Sequence, residues 1–358
     1  MDNEIISMLG EEVSRFADQH YPFHERHGVL NLPKRYSDSV WNNFAELGWL
    51  AISVPEDQDG LGGDPRAVAT VMETVGRRLL MEPIFSSAIV ATSIVTQLAS
   101  ERQRREWLPS LVDGSMVAVF ADDVLQDHEP CQWRDQRLFG SRAGVLHGDS
   151  ASMLLVPAVD EQGDTVIVSV LTDAEGLERH SYELVDGRGA AMMTLQGVRG
   201  EVLDGESDVE GMLGQIRAEA ATALCAETLG ITRTLVNTTV EYLKVRKQFG
   251  VAIGTFQALQ HRAVEMQFLL EEIKALTVAA QQALKAVPAN RDHVVSGCRS
   301  YIIEAARKIA NEAVQMHGGL GVTEELDVTH YFRRLMVMAT LFGDREDHFK
   351  RFAASFNI

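Results

Sequence analysis

Apolar residues recur at spacings of three and four over most of this chain, the period of a helix with one buried stripe. Leu224, Leu229, Leu235, Val240 and Leu243 are among the apolar positions of a helix predicted over 220–245. Leu259, Ala263, Met266, Leu270 and Ile273 mark a second long helix after a short connection. Near the start, Ile5, Leu9, Val13 and Phe16 keep one face apolar, and Trp41, Phe44, Leu47 and Leu50 keep another. Helices are also predicted over 66–80, 86–98 and 102–111, with Pro83 separating the first two. From Ser115 the period changes. Segments 117–121, 144–148, 153–157, 165–171 and 190–195 are short, rich in branched residues and divided by Asp, Gly and Pro, as strands are. From about Gly211 the helical period returns, with helices near 212–247, 257–286, 291–316 and 341–355. Antiparallel helices of this length with short connections form a bundle. The pattern divides the chain into an N-terminal α-helical domain (1–115), a middle β-domain (116–210) and a C-terminal four-helix bundle (211–358). The class is α+β, mainly α.

Composition narrows the partners. A length of 358 residues allows two or three domains with their own cores. The formal net charge of -18 argues against a nucleic-acid footprint, which needs a basic face, yet leaves room for an anionic small ligand held by local donors. Cys131, Cys225 and Cys298 lie far apart, with neither a metal-like spacing nor a disulfide framework. No apolar run reaches the length of a membrane span and the start is acidic and polar, so the cytoplasm is the default expectation.

Two loops carry candidate chemistry. The first is Arg246-Lys-Gln-Phe-Gly250, followed by Ile253-Gly-Thr-Phe-Gln-Ala-Leu259, between the two long helices. Gly250 and Gly254 let the chain reverse there, and Arg246, Phe249 and Phe256 stand on the connection. By itself this is also what a helical hairpin with a polar turn looks like. The second is Gln315-Met-His-Gly-Gly-Leu-Gly321, where three glycines in four residues allow close approach to a ligand and expose amide donors suited to a phosphate, or simply cap a helix. An Arg-x-x-Phe-Gly loop and a Gln-x-x-Gly-Gly-x-Gly loop some seventy positions later, taken together, resemble the acyl-CoA dehydrogenase family of flavoproteins. The order Gly48-Trp-Leu50, Val54-Pro-Glu56, Gly60-Leu-Gly-Gly63, Glu73, Gly76-Arg77, Pro83, Trp107-Leu-Pro109 and Gly114 is similar to the N-terminal helical domain of that family. The likeness is weakest from Asp122 to Gly211. There Asp122–Asp127 and Leu146–Ala151 stand where family members carry Thr/Ser-bearing and Trp-Ile-Thr/Ser segments against the flavin.

The resemblance implies the acyl-CoA dehydrogenase fold, FAD as cofactor, and α,β-dehydrogenation of an acyl-CoA with electrons passed to an electron-transfer flavoprotein. It implies that Arg246 and Gln315 hold the pyrophosphate and adenosine part of FAD. Phe249, Ile253 and Phe256, with Gln257 beside them, lie near the adenine, and Gly318 and Gly319 offer the close backbone approach. In the family the Gln/Gly loop reaches FAD bound mainly by a neighbouring subunit, so a homo- or hetero-oligomer is expected. The chemistry also needs a desolvated carboxylate at the substrate α-carbon. Most members carry it as the Glu of a Tyr-Glu-Gly-Thr segment, whose place here reads Leu341-Phe-Gly-Asp-Arg-Glu346, with Gly343 where the Glu would be. Branches that carry the base on the preceding long helix have it at the position of Ala220, beside Glu219. Glu227, seven residues on and the sole acid in the apolar run 220–236, is the first candidate, with Glu219 and Asp344 behind it. An arginine-paired helix carboxylate is the bland reading of Glu227. The vacant position, short length and thin β-domain look like the bacterial branch that pairs two unlike chains for bulky acyl-CoAs such as steroid side chains. The rival expectation is a non-catalytic partner subunit that keeps the FAD loops.

Overall fold

A computed structural model describes residues 1–122, 129–205, 208–354 and 356. The helices are α1 (Asn3–His20), α2 (Arg26–Leu30), α3 (Asp38–Glu46), α4 (Pro65–Arg78), α5 (Thr92–Leu98), α6 (Glu101–Val112), α7 (Val209–Val245), α8 (Gln257–Ala283), α9 (Pro288–His317), α10 (Asp327–Met338) and α11 (Arg345–Ala354). The strands are β1 (Ala118–Phe120), β2 (Cys131–Arg134), β3 (Arg137–Leu146), β4 (Met153–Val159), β5 (Thr165–Leu171), β6 (Leu177–Glu183), β7 (Gly189–Arg199), β8 (Glu201–Val202), β9 (Lys247–Gln248) and β10 (Val251–Ala252). They form two compact units: Met1, His24–Val68 and Met81–Ala220 in one, Asp2–Phe23, Ala69–Leu80 and Ala221–Ile358 in the other.

The first unit is built on a mixed sheet in the order β6-β7-β3-β2-β4-β5-β8, with β1 paired to β4. β4 is buried from Met153 to Val156 and runs parallel to β1 and antiparallel to β5, so its apolar run is that of a covered central strand. The long β3–β7 ladder is irregular between Arg142 and Val145, where Gly144 takes φ +70. β6 was not predicted, because its residues are polar and almost wholly exposed and offer no alternation to read. Between α4 and α5, Ile84–Ala91 forms a fully buried π-helix. Ser87 Oγ of that π-helix accepts from the Ala118 amide at 3.3 Å, tying it to the first strand.

In the second unit the long helices follow the predicted stripes. Buried threonines are tolerated inside α7 because each hydroxyl donates to the carbonyl one turn back: Thr228 to Leu224, Thr232 to Thr228 and Thr239 to Leu235, at 2.8, 2.8 and 2.7 Å. Pro288 opens α9 at a position where its missing N–H costs nothing. α10 was not predicted as a helix. It buries Val328, Tyr331, Leu335 and Met338 on one stripe, with Thr329, His330 and Arg334 also buried beside them, and that mixture blurs the period.

Candidate cofactor and catalytic site

The two loops singled out in the sequence lie together at one end of the helical unit. α7 ends at Val245, and the chain reverses through the two-residue strands β9 and β10 before α8 begins at Gln257. The Arg246 carbonyl closes this turn by accepting from the Ile253 amide at 2.8 Å. One turn before Arg246, the Tyr242 ring stacks on His317, with centroids 4.3 Å apart, and the Tyr242 hydroxyl donates to the His317 carbonyl at 3.5 Å. His317 is buried, and its Nδ1 lies 2.8 Å from the Ala313 carbonyl. The last turn of α9 is thus pinned to the last turn of α7, and Gln315 and the Gly318–Gly319 loop are held beside the Arg246 turn.

This end offers an open donor set. Arg246 is exposed, with no side-chain hydrogen bond or ion pair among the described residues. Phe249 is 93% exposed at φ +51, and Phe256 packs edge-on against it at 6.3 Å. Ile253 is buried beneath the turn, while Gln257 and Gln315 are exposed. Gly318 has φ +62, and a Cβ at Gly318 or Gly319 would meet nothing within 4 Å. An unengaged guanidinium, two aromatic faces and an uncovered glycine backbone are the chemistry that a pyrophosphate and an adenine require.

The candidate bases fare differently. Glu227, the first candidate for the base, is 0% exposed and takes the arginine-paired alternative, closed by a two-point ion pair: Arg334 Nε donates to Oε1 at 2.6 Å and Nη2 to Oε2 at 2.9 Å. Arg334 itself is 1% exposed. Sequence reading found one partner and not the other, because 107 positions separate them. Asp344 caps α11: its carboxylate accepts from the Asp347 amide at 2.9 Å, and Asp347 returns the bond to the Asp344 amide at 3.1 Å. Glu219 is half-buried in the first unit and accepts from the amides of Gln215 at 2.7 Å and Gln97 at 3.3 Å. Ala220 beside it is buried.

In the sheet unit, Leu146–Ala151 closes a tight turn at the end of β3. His147 takes φ +56, lies buried, and places Nδ1 2.8 Å from Ser86 Oγ and Nε2 3.1 Å from the Met81 carbonyl. Of the other expected segment, Asp122 is bound by Arg217 at 3.2 Å, and Asp123–Asp127 lie outside the described residues. Among the described residues no cluster of His, Cys, Asp or Glu has the makings of a metal site, and no helix is long and apolar enough to cross a membrane.

Two family models match this chain: "Acyl-CoA dehydrogenase, N-terminal domain" over residues 3–115, and "Acyl-CoA dehydrogenase, C-terminal domain" over residues 212–356. The chain belongs to the acyl-CoA dehydrogenase family. It is 24% identical to acyl-CoA dehydrogenase IpdE2 of Mycolicibacterium smegmatis over 98% of this chain and 99% of the relative. It is 26% identical to FadE27 of Mycobacterium tuberculosis over 87% of this chain and 86% of the relative. The fold matches the ChsE4-ChsE5 complex from Mycobacterium tuberculosis with a TM-score of 0.89 and 23% identity, covering 100% of this chain and 98% of that one. It matches a variant of the steroid ACAD Tcur3481-Tcur3483 at 0.90 and 24%, covering 99% and 98%.

The acyl-CoA dehydrogenase fold expected from the sequence is therefore the fold observed. Members of the family are FAD-dependent oxidoreductases acting on acyl-CoA, and FAD is the cofactor. The family's Tyr-Glu-Gly-Thr segment corrects one detail when set glycine on glycine. It falls on Leu341-Phe342-Gly343-Asp344, so Phe342 rather than Gly343 stands at the Glu. Phe342 and Gly343 both have positive φ, +58 and +105, and make the turn between α10 and α11. Neither can take a proton.

Proposed function

We propose that this chain is one half of an FAD-dependent acyl-CoA dehydrogenase that assembles with a second, related chain, and that the partner supplies the catalytic base. The observation that carries this reading is the closure of Glu227 by Arg334, in a chain with Phe342 at one family base position and Ala220 at the other. A buried carboxylate held by both oxygens against a buried guanidinium is committed to that pair, and using it as a base would break the pair. Asp344 is engaged in its cap.

In this reading Arg246 and Gln315 hold the pyrophosphate and adenosine half of FAD. Phe249, Ile253 and Phe256 flank the adenine, Gln257 borders it, and the Gly318 and Gly319 backbone approaches closely. FAD, when bound, supplies the hydride acceptor. This chain's residues bind and orient its outer half. The exposure of Phe249, Phe256 and Val251 at the turn, and of Val264 and Phe268 one turn apart on α8, supports a surface that another chain covers. The paired assemblies among the structural neighbours and the steroid ACAD in their number support a hetero-oligomer acting on bulky acyl-CoAs. An electron-transfer flavoprotein is the proposed electron acceptor.

One observation favours a second reading. Glu219 is half-buried, adjacent to Ala220, and accepts from the side-chain amides of Gln215 and Gln97, which places a second carboxylate beside the alternative base position of a self-sufficient enzyme. The visible absorption spectrum of the full chain purified alone, before and after anaerobic addition of acyl-CoAs, separates the two. A chain that shows no flavin bleaching alone, and bleaching only when co-purified with a related chain, is the expected result. Bleaching by the chain alone, lost in Glu219→Gln, would overturn it.

A further inference from the structure

A cavity of about 390 Å³ opens between α9 and α10 in the helical unit, and none of the residues of the Arg246 turn lines it. Ile303, Ala306, Phe332 and Leu335 are among its walls, and most of its surface is apolar. Its size falls in the range of roughly 300–1,000 Å³ that small-molecule sites occupy. One wall breaks the pattern. Arg299 lines the cavity, is 1% exposed, and donates from one terminal nitrogen to the Met338 carbonyl, while its Nε has no hydrogen-bond partner.

The charges around Arg299 do not balance. Arg334 lies close enough to repel it, and among the described residues Glu227 is the carboxylate whose charge chiefly reaches it. That carboxylate is already committed, through both oxygens, to Arg334. The Cys225 sulfur beside Arg299 is its hydrogen-bond partner, and burial pushes that thiol up to about 11, so it is a weak counter-charge. His348, on α11, is pushed down to about 3 by burial and by the Arg299 and Arg351 charges, so it brings no charge of its own. Two buried guanidiniums share one carboxylate. A buried cation without a matching anion is costly, and an apolar cavity on its flank leaves space for the missing charge to be brought by a ligand.

We infer that this cavity binds a hydrophobic monocarboxylate, its carboxylate at Arg299 and its apolar body between α9 and α10. A carboxylate matches the planar donors of a guanidinium better than a point acceptor does. The apolar walls select a hydrocarbon body over a polar one. Arg307 at the lining is engaged by Glu304 at 2.8 Å, so it contributes less to charge recognition than Arg299. The site is separate from the proposed FAD loops and does not depend on that reading.

The test uses the full chain, in the complex it purifies with, and straight-chain probes: octanoate, dodecanoate and the matching alcohols. Calorimetry and melting curves are the readouts. Octanoate or dodecanoate should bind saturably and raise the melting temperature, at least about tenfold tighter than the alcohol of equal length, the weight of one charged hydrogen bond. Arg299→Met should erase the difference between acid and alcohol. Because that variant can also unfold the bundle, two others keep the test decisive. Ala306→Phe fills the cavity and should abolish binding of both probes. Met336→Glu, at an exposed lining position, should weaken the acid and spare the alcohol. Equal affinity for acid and alcohol, absence of saturable binding, or acid binding that survives Ala306→Phe would each overturn the proposal.

Discussion

Gly76 on α4 and Gly230 on α7 are each the point at which the other helix's backbone touches. A Cβ on Gly76 would come within 2.1 Å of the Glu227 carbonyl oxygen, and one on Gly230 within 1.9 Å of the Glu73 carbonyl oxygen. The same crossing is fastened by an ion pair between Glu73 and Arg233 and by the Tyr331 hydroxyl, which donates to the Arg77 carbonyl at 2.6 Å. Alanine in a helix is favoured over glycine by about 1 kcal/mol. Here the clash outweighs it, since forcing a close-packed crossing apart costs about 1–3 kcal/mol or more. Gly230→Ala should lower the denaturation midpoint despite its better helix propensity, and a higher midpoint would refute the close approach.

Glu227 and Arg334 make the second prediction. Removing one member of a buried pair strands the other, at about 3–5 kcal/mol, whereas replacing both with apolar residues is close to neutral. Glu227→Gln should therefore destabilise the chain sharply, and Glu227→Leu combined with Arg334→Leu should recover most of the loss. A double-mutant cycle in urea measures this. Additive losses would mean that the two side chains do not act as a pair.

Glu82, in the sheet unit, should give the chain a pH-dependent stability. It is buried, its Oε1 accepts from the Ser37 amide at 3.2 Å, and its Oε2 has no partner. Burial pushes its carboxyl from 4.5 up to about 7. The folded chain thus holds a proton that the unfolded chain has released, so stability falls as pH rises from 4.5 to about 7 and is level above that. The full cost is about 3 kcal/mol at most. Glu82→Gln should flatten this slope and raise the melting temperature at pH 8; an unchanged slope would assign the pH dependence to other groups.

Arg246→Ala should weaken FAD by roughly tenfold to a hundredfold, the weight of a charged hydrogen bond to phosphate, without moving the urea midpoint. Stoichiometric FAD retained in that variant would place the pyrophosphate elsewhere.

Phe249→Ser should leave stability within about 0.5 kcal/mol, because the ring is exposed in the isolated chain. Its effect should appear in FAD retention and in association with the partner chain, measured by absorbance and by sedimentation. A variant indistinguishable in both would make Phe249 an ordinary surface residue.

Much of this was legible in the sequence, and the parts that were not share a cause. The stripes of α7, α8 and α9 gave those helices to within a few residues, because one apolar face per helix is a local property. The two loops were legible because glycine, arginine and phenylalanine at a helix reversal have few structural uses. α10 escaped because His330 and Arg334 are buried within its stripe, and β6 because neither of its faces is covered. The three consecutive segments read from the sequence also differ from the compact units, since Asp2–Phe23 and Ala69–Leu80 pack with the C-terminal helices. That grouping, like the partner of Glu227, depends on contacts between residues far apart in the chain. The cap at Asp344 was within reach, because Asp344 and Asp347 stand at the spacing of a reciprocal cap.

The two margins of the sheet carry a last consequence. At one end β6 presents Glu178, Arg179, His180 and Glu183 to solvent, and at the other β8 is two residues long, with Glu201 engaged by Arg102 and Gln103. A charged margin and a truncated one both discourage strand-by-strand addition, the route by which sheets of separate molecules zip into open-ended fibres. Molecules that meet only through helices and loops stop at a fixed number of copies when their contacts close a ring. The chain is thereby suited to a small finite particle, and a concentrated solution of it should remain clear rather than gel.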